Sequence, residues 1–86
     1  MKLSLYRRTF ESNVPYAIIF NDRLINSVST DLITKHIFHS LISKGAYGTI
    51  INHDMLSWLE LIDHYEFDNV NQLDQLLRDR NPELFL

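Results

Sequence analysis

The apolar residues of this chain change their period at Ser29, and that change confines it to an α+β fold. Before Ser29, Leu3, Leu5 and Phe10 are interleaved with polar residues, and Glu11-Ser12-Asn13 reads as a turn. Tyr16-Ala17-Ile18-Ile19-Phe20 is a short apolar run entered through Pro15. Alternation and short runs rich in β-branched and aromatic residues are strand signals. Asn21-Asp22 parts this run from residues 23–28, and both side chains tolerate positive φ, so a two-residue hairpin turn is expected there.

After Ser29 the spacing becomes helical. Ser29-Thr30-Asp31 offers capping oxygens and negative charge to a helix start, and Ile33, Ile37, Phe38, Leu41 and Ile42 then share one face. Gly45 supplies a stop, so a first helix is expected over 30–44, with Lys35, His36, His39, Ser40 and Ser43 on its outer side. Thr49-Ile50-Ile51 reads as a short strand or the lead-in to a second helix over 52–66, with Met55, Trp58, Leu59, Ile62 and Tyr65 facing inward. Asp68-Asn69 caps a third helix over 69–80, which Asn81-Pro82 ends because the residue before proline avoids the helical region. The closing Glu83-Leu84-Phe85-Leu86 is apolar enough to require a docking site. The expected architecture is one compact α+β domain over residues 1–86: an N-terminal antiparallel β-hairpin or three-stranded sheet, residues 1–28, packed against two or three helices.

Eighty-six residues with no cysteine must fold on their core alone, without disulfides or thiolate metal ligands. One Trp, four Tyr and five Phe help to build that core, and a homodimer or a tight partner is a natural cover for leftover apolar surface. Arg7 and Arg8 stand where a signal peptide would carry its apolar stretch, and no run approaches the ~18 apolar residues of a membrane span. A cytoplasmic, non-membrane protein is the expectation.

The net charge of −3 conceals a local excess. Between Lys44 and Arg78 lie Asp54, Glu60, Asp63, Glu66, Asp68 and Asp74, and no Lys or Arg. Ordinary solvated faces mix both signs, whereas a one-signed face steers a basic partner. Lys2, Arg7 and Arg8, with Tyr6, form a small basic cluster that would either touch phosphate or guard a sheet edge.

Catalytic signatures are sparse. His36 and His39 are three apart, and His53, Ser57, Glu60 and His64 follow at spacings of four, three and four. Those residue types suit zinc or iron, but the two stripes lie opposite the faces that should pack together. No G-x-S-x-G elbow or glycine-rich phosphate loop occurs, and Glu60 and Asp63, on an outer helix face, lack the desolvation that raises a catalytic carboxyl.

The expectation is therefore a non-enzymatic protein-binding module without cofactor or metal. It would be an inhibitor or adaptor whose acidic helical surface (Glu60, Asp63, Glu66, Asp68 and Asp74) engages a basic, nucleic-acid-processing protein as a phosphate mimic, with Tyr65 and Phe67 as apolar anchors. Small acidic inhibitors of mobile genetic elements are the analogy at the level of class. The alternative is a small dimeric nucleic-acid-binding regulator using Lys2, Arg7 and Arg8. A metal-dependent hydrolase using the four histidines is the third reading.

Overall fold

The computed structural model describes residues 1–43 and 47–84. Its frame is a five-stranded antiparallel sheet made of β1 (Lys2–Arg8), β2 (Tyr16–Phe20), β3 (Arg23–Ser27), β4 (Thr49–Ile50) and β5 (Leu59–Glu66). The spatial order is β4-β3-β2-β1-β5, which puts β1 inside the sheet with β2 and β5 as neighbours. The sheet packs against α1 (Ile33–Ile42) and α3 (Val70–Arg80), while a single turn, α2 (His53–Leu56), lies in the connection between β4 and β5. The α+β expectation holds, with five strands where a hairpin or three-stranded sheet was anticipated.

The β2–β3 hairpin turns through Asn21 and Asp22 at φ 52° and 60°. That left-handed pair matches the twist of the flanking strands, as sequence suggested. Along β1 the pleat sends Leu3 and Leu5 toward the helices, where they meet Ile18 and Phe20 of β2 and Ile25 of β3. Ile33 and Ile37 of α1, Leu73 and Leu77 of α3, and Tyr65 and Phe67 complete one shared core.

The second helix expected over 52–66 does not form. Only residues 53–56 are helical, and 59–66 instead give β1 its second partner. Ser57 Oγ donates to the Asp54 carbonyl at 2.8 Å and closes the helical turn. The register slips between Leu5 and Tyr6, which face Asp63 and Leu61, so Ile62 is an extra residue in the strand. Such a bulge shifts the alternation by one position. Leu59, Ile62 and Tyr65 are thereby spaced by three, as on a helix, although Leu59 and Tyr65 face opposite sides of the sheet.

Helix boundaries elsewhere lie close to expectation. A 3₁₀ turn, Thr30–Leu32, precedes α1, and Ser29 makes no side-chain cap there. Gly45 and the terminal Phe85 and Leu86 fall outside the described residues, whereas Leu84 packs against the core. Asn69 caps α3 by accepting the Gln72 amide at 2.9 Å, and Gln72 Oε1 returns to accept the Asp68 amide. This reciprocal arrangement is a capping-box exchange shifted by one residue. Among the described residues no helix is long and apolar enough to cross a membrane.

Candidate functional site

The connection from β4 to β5 joins opposite edges of the sheet and must cross it. It crosses on the face away from α1 and α3. There Met55 and Trp58 line a depression of about 200 Å³ with Arg8, Phe10, Leu24 and Leu59, and Arg8 lies directly across the ladder from Leu59. Leu24 is buried on this face. The Thr9 amide and hydroxyl both donate to the Trp58 carbonyl, at 3.0 and 3.2 Å, and pin the end of the crossing segment.

Two rings stand at the rim. Phe10 and Trp58 meet edge to face with centroids 6.0 Å apart, yet they remain 50% and 61% exposed. Sequence reading had placed Trp58 inward on a helix. The strand that replaced that helix leaves its indole in the preceding turn and outside the core. Arg8 does not offer its charge freely in the depression, because its guanidinium donates to the Val14 and Tyr16 carbonyls and to Asn26 Oδ1.

The carboxylates expected to form a helical surface are distributed otherwise. Glu60, Asp63 and Glu66 sit on β5, Asp68 precedes α3, and only Asp74 lies on a helix. Asp63 Oδ1 is 2.6 Å from Arg80 Nη2, and Asp74 Oδ2 is 3.2 Å from Arg78 Nε. Glu60 and Glu66 each stand across the ladder from a cation, Arg7 and Lys2 respectively. Tyr65 and Phe67 are core residues, 1% and 2% exposed, with no face left to anchor a partner. Core packing consumes them: Tyr65 stands across the ladder from core Leu3, and Phe67 follows the end of β5 into the same core.

Nor do Lys2, Arg7 and Arg8 converge. Alternation along β1 sends Lys2 and Arg8 to one face and Arg7 to the other, and β1 is an interior strand, not an edge. One edge of the sheet is β5, and it is closed in part by side chains. The His64 amide donates to Asp63 Oδ1 at 2.8 Å, while the His64 carbonyl accepts Arg80 Nη1 at 2.9 Å. With Arg80 also bound to Asp63, the ion pair supplies the acceptor and donor that a sixth strand would offer this peptide. Asn81 Nδ2 reaches both Asp63 Oδ2, at 3.2 Å, and the Tyr65 hydroxyl. The Arg80 guanidinium lies 5.1 Å from the centre of the Tyr65 ring. Burial, reinforced by the Asp63 carboxylate, pushes the Tyr65 phenol up to about 12, although the Asn81 bond and Arg80 oppose the shift.

His36 and His39 share Tyr47, while His64 lies on β5. His36 Nδ1 lies 2.8 Å from the Tyr47 hydroxyl, and both His36 and His39 stack on the Tyr47 ring. Burial, aided by His39, lowers the His36 pKa below its ordinary value of 6.5. His64 Nδ1 is 2.9 Å from Ser4 Oγ, its cross-strand neighbour, at an exposed position. No carboxylate is placed on its other ring nitrogen among the described residues, as a triad would require. Among the described residues no group of three or more His, Asp or Glu could hold a metal ion.

Comparison with models of protein families, with curated proteins and with solved structures finds no match to this chain.

Proposed function

We propose that this protein is a small non-enzymatic binding module, an adaptor or inhibitor, that receives its partner at the aromatic end of the sheet around Phe10 and Trp58. One observation carries the reading: two large rings in mutual contact remain half or more exposed over an apolar depression. Exposed aromatic clusters mark interaction sites, and Trp leads the residue types that dominate binding energy. The exposed carboxylates Glu11 and Asp54 flank these rings in the chain, while Arg8, the cation lining the depression, has committed its donors. The fitting partner therefore presents an apolar side chain ringed by Lys or Arg. Acidity thus acts at the rim of an apolar contact. A phosphate-mimicking array has less support, since Asp63 and Asp74 each pair with an arginine.

The test compares proteins captured from host extract by wild type, Trp58→Ala, Phe10→Ala and Asp54→Lys at low and high salt, with circular dichroism confirming each fold. Specific capture should be lost in both aromatic variants and weakened by Asp54→Lys chiefly at low salt. Capture that survives both aromatic truncations overturns the assignment.

A further inference from the structure

The two halves of β5 treat their outer edge differently. The Thr9 amide donates to the Trp58 carbonyl and the Phe67 amide to the Met1 carbonyl, so the ladder with β1 is pinned beyond both ends. Bonded and non-bonded pairs alternate along an antiparallel ladder. Inward from Thr9–Trp58, the Arg7–Glu60 pair is therefore bonded, while Leu59 and Leu61 direct their amides and carbonyls away from β1. Inward from Met1–Phe67, the same alternation turns His64 outward, and Arg80 and Asp63 close its peptide. Among the described residues no hydrogen bond reaches the outward groups of Leu59 or Leu61.

Backbone donors and acceptors in a row along a sheet edge select their own occupant, another chain in extended conformation. We infer that an extended basic segment of the partner protein adds to β5 as a sixth strand along Leu59–Leu61, between the Phe10–Trp58 rings and Arg80. The inference rests on the reading of those rings as the binding site and supplies its main-chain half. Each outward residue brings one donor and one acceptor, so the added strand gains roughly four hydrogen bonds.

The pleat sets the side chains that strand must carry. Leu59 lines the depression beside Trp58, and Leu61, 45% exposed, follows two residues on along the same face. Residues opposite these two leucines would be apolar, the first of them reaching the rings. The residue between them falls on the other face of the sheet, beside the exposed Glu60. A Lys or Arg there extends the cross-strand pair of Arg7 and Glu60 into a row of alternating sign. A second copy of this chain fits poorly, because antiparallel pairing of two β5 edges over this stretch sets Glu60 beside Glu60, and like charges in that position repel. The bulge at Ile62 and the closed His64 peptide end the pairing after Leu61. The recognised core is thus short: apolar, basic, apolar.

Amide hydrogen exchange with a blocked Thr-Val-Lys-Val-Thr peptide tests the pairing. In the protein alone, the Leu59 and Leu61 amides should exchange at least ~tenfold faster than that of Glu60. At ~5 mM peptide both should slow at least ~threefold. N-methylation of the two valines, whose amides would face β5, should abolish this protection, and N-methylation of the lysine, whose amide would face away, should preserve it. Replacing that lysine by glutamate should weaken protection chiefly at low salt. Because Trp58 is the only tryptophan, its fluorescence reports on the rings separately. Protection of Leu59 and Leu61 without a change at Trp58 supports the edge pairing and refutes the rings as its neighbour. A change at Trp58 without protection keeps the ring site and overturns the edge pairing. Absence of both signals, or protection that survives methylation of the valines, also overturns the inference.

Discussion

Gly48 shows how much one residue fixes in this molecule. Its φ of +95° lies where L side chains are strained, and an added Cβ would stand 3.0 Å from Ile25 Cγ1 and the Leu24 carbonyl and 3.1 Å from Arg23 Cβ. The glycine lets the chain come against β3 just before β4 begins. Gly48→Ala combines a left-handed penalty of about 1–2 kcal/mol with displacement of backbone that has little room to yield. A loss of about 2 kcal/mol or more in urea unfolding is expected; a loss below about 0.5 kcal/mol would show that the close approach costs nothing. Turn chemistry of this kind was partly legible. Asn21-Asp22 announced its hairpin, because positive φ there follows from the side chains themselves. Gly48 carried no such local signal, because the need for glycine comes from β3, which lies far from it in sequence.

At the scale of elements, the strand that sequence reading missed organises much of the rest. Residues 59–66 carry apolar side chains at helix-like spacing because Ile62 is an inserted residue, and nothing local distinguishes that from a helix. The decision is tertiary: β1 has a free side, and β5 fills it. Phe38, Leu41 and Ile42, expected to share the buried face of α1 with Ile33 and Ile37, are 53%, 42% and 61% exposed for a related reason: spacing shows which residues share a helix face but not how wide a face the core can accept. In contrast, α3 was legible in cap and bounds, because Asn69 and Gln72 act within the helix's own first turn. The edge of β5 gives this scale its prediction. Arg80 closes the His64 peptide by bonding its carbonyl and the Asp63 carboxylate. Arg80→Met retains an apolar stem and removes both bonds, so it should modestly lower stability and raise the rate of aggregation or thioflavin-positive assembly at neutral pH. Unchanged aggregation kinetics would show that the ion pair contributes nothing to edge protection.

For the whole molecule, two shifted groups bracket the pH range of stability. The His36 pKa is lowered, so below about 6.5 the unfolded chain binds a proton that the folded chain resists. Stability should therefore fall as pH drops through that region and level off below the folded value. Tyr65 is raised from 10.0 to about 12, so between those limits the folded state holds a proton that the unfolded state releases. Stability should fall again as pH climbs past 10. Urea midpoints measured across pH for wild type, His36→Gln and Tyr65→Phe check both arms: each variant should flatten its own limb and leave the other. A profile unchanged by either substitution would assign the pH dependence to other groups. The location of the candidate site was the least legible property at this scale. Phe10 and Trp58 are far apart in sequence and meet only because a crossing segment returns over the sheet. The i,i+4 spacing of Asp74 and Arg78 could be read from the sequence, but charge counting along the chain could not foresee that Arg80 returns from α3 to meet Asp63. That same return binds two hazards into one event. Because Arg80 belongs to the helix that also carries Leu73 and Leu77, any excursion that peels α3 from the sheet uncovers greasy core and a raw strand margin together, so this protein's most aggregation-prone species should be a nearly native one that has let go of a single helix.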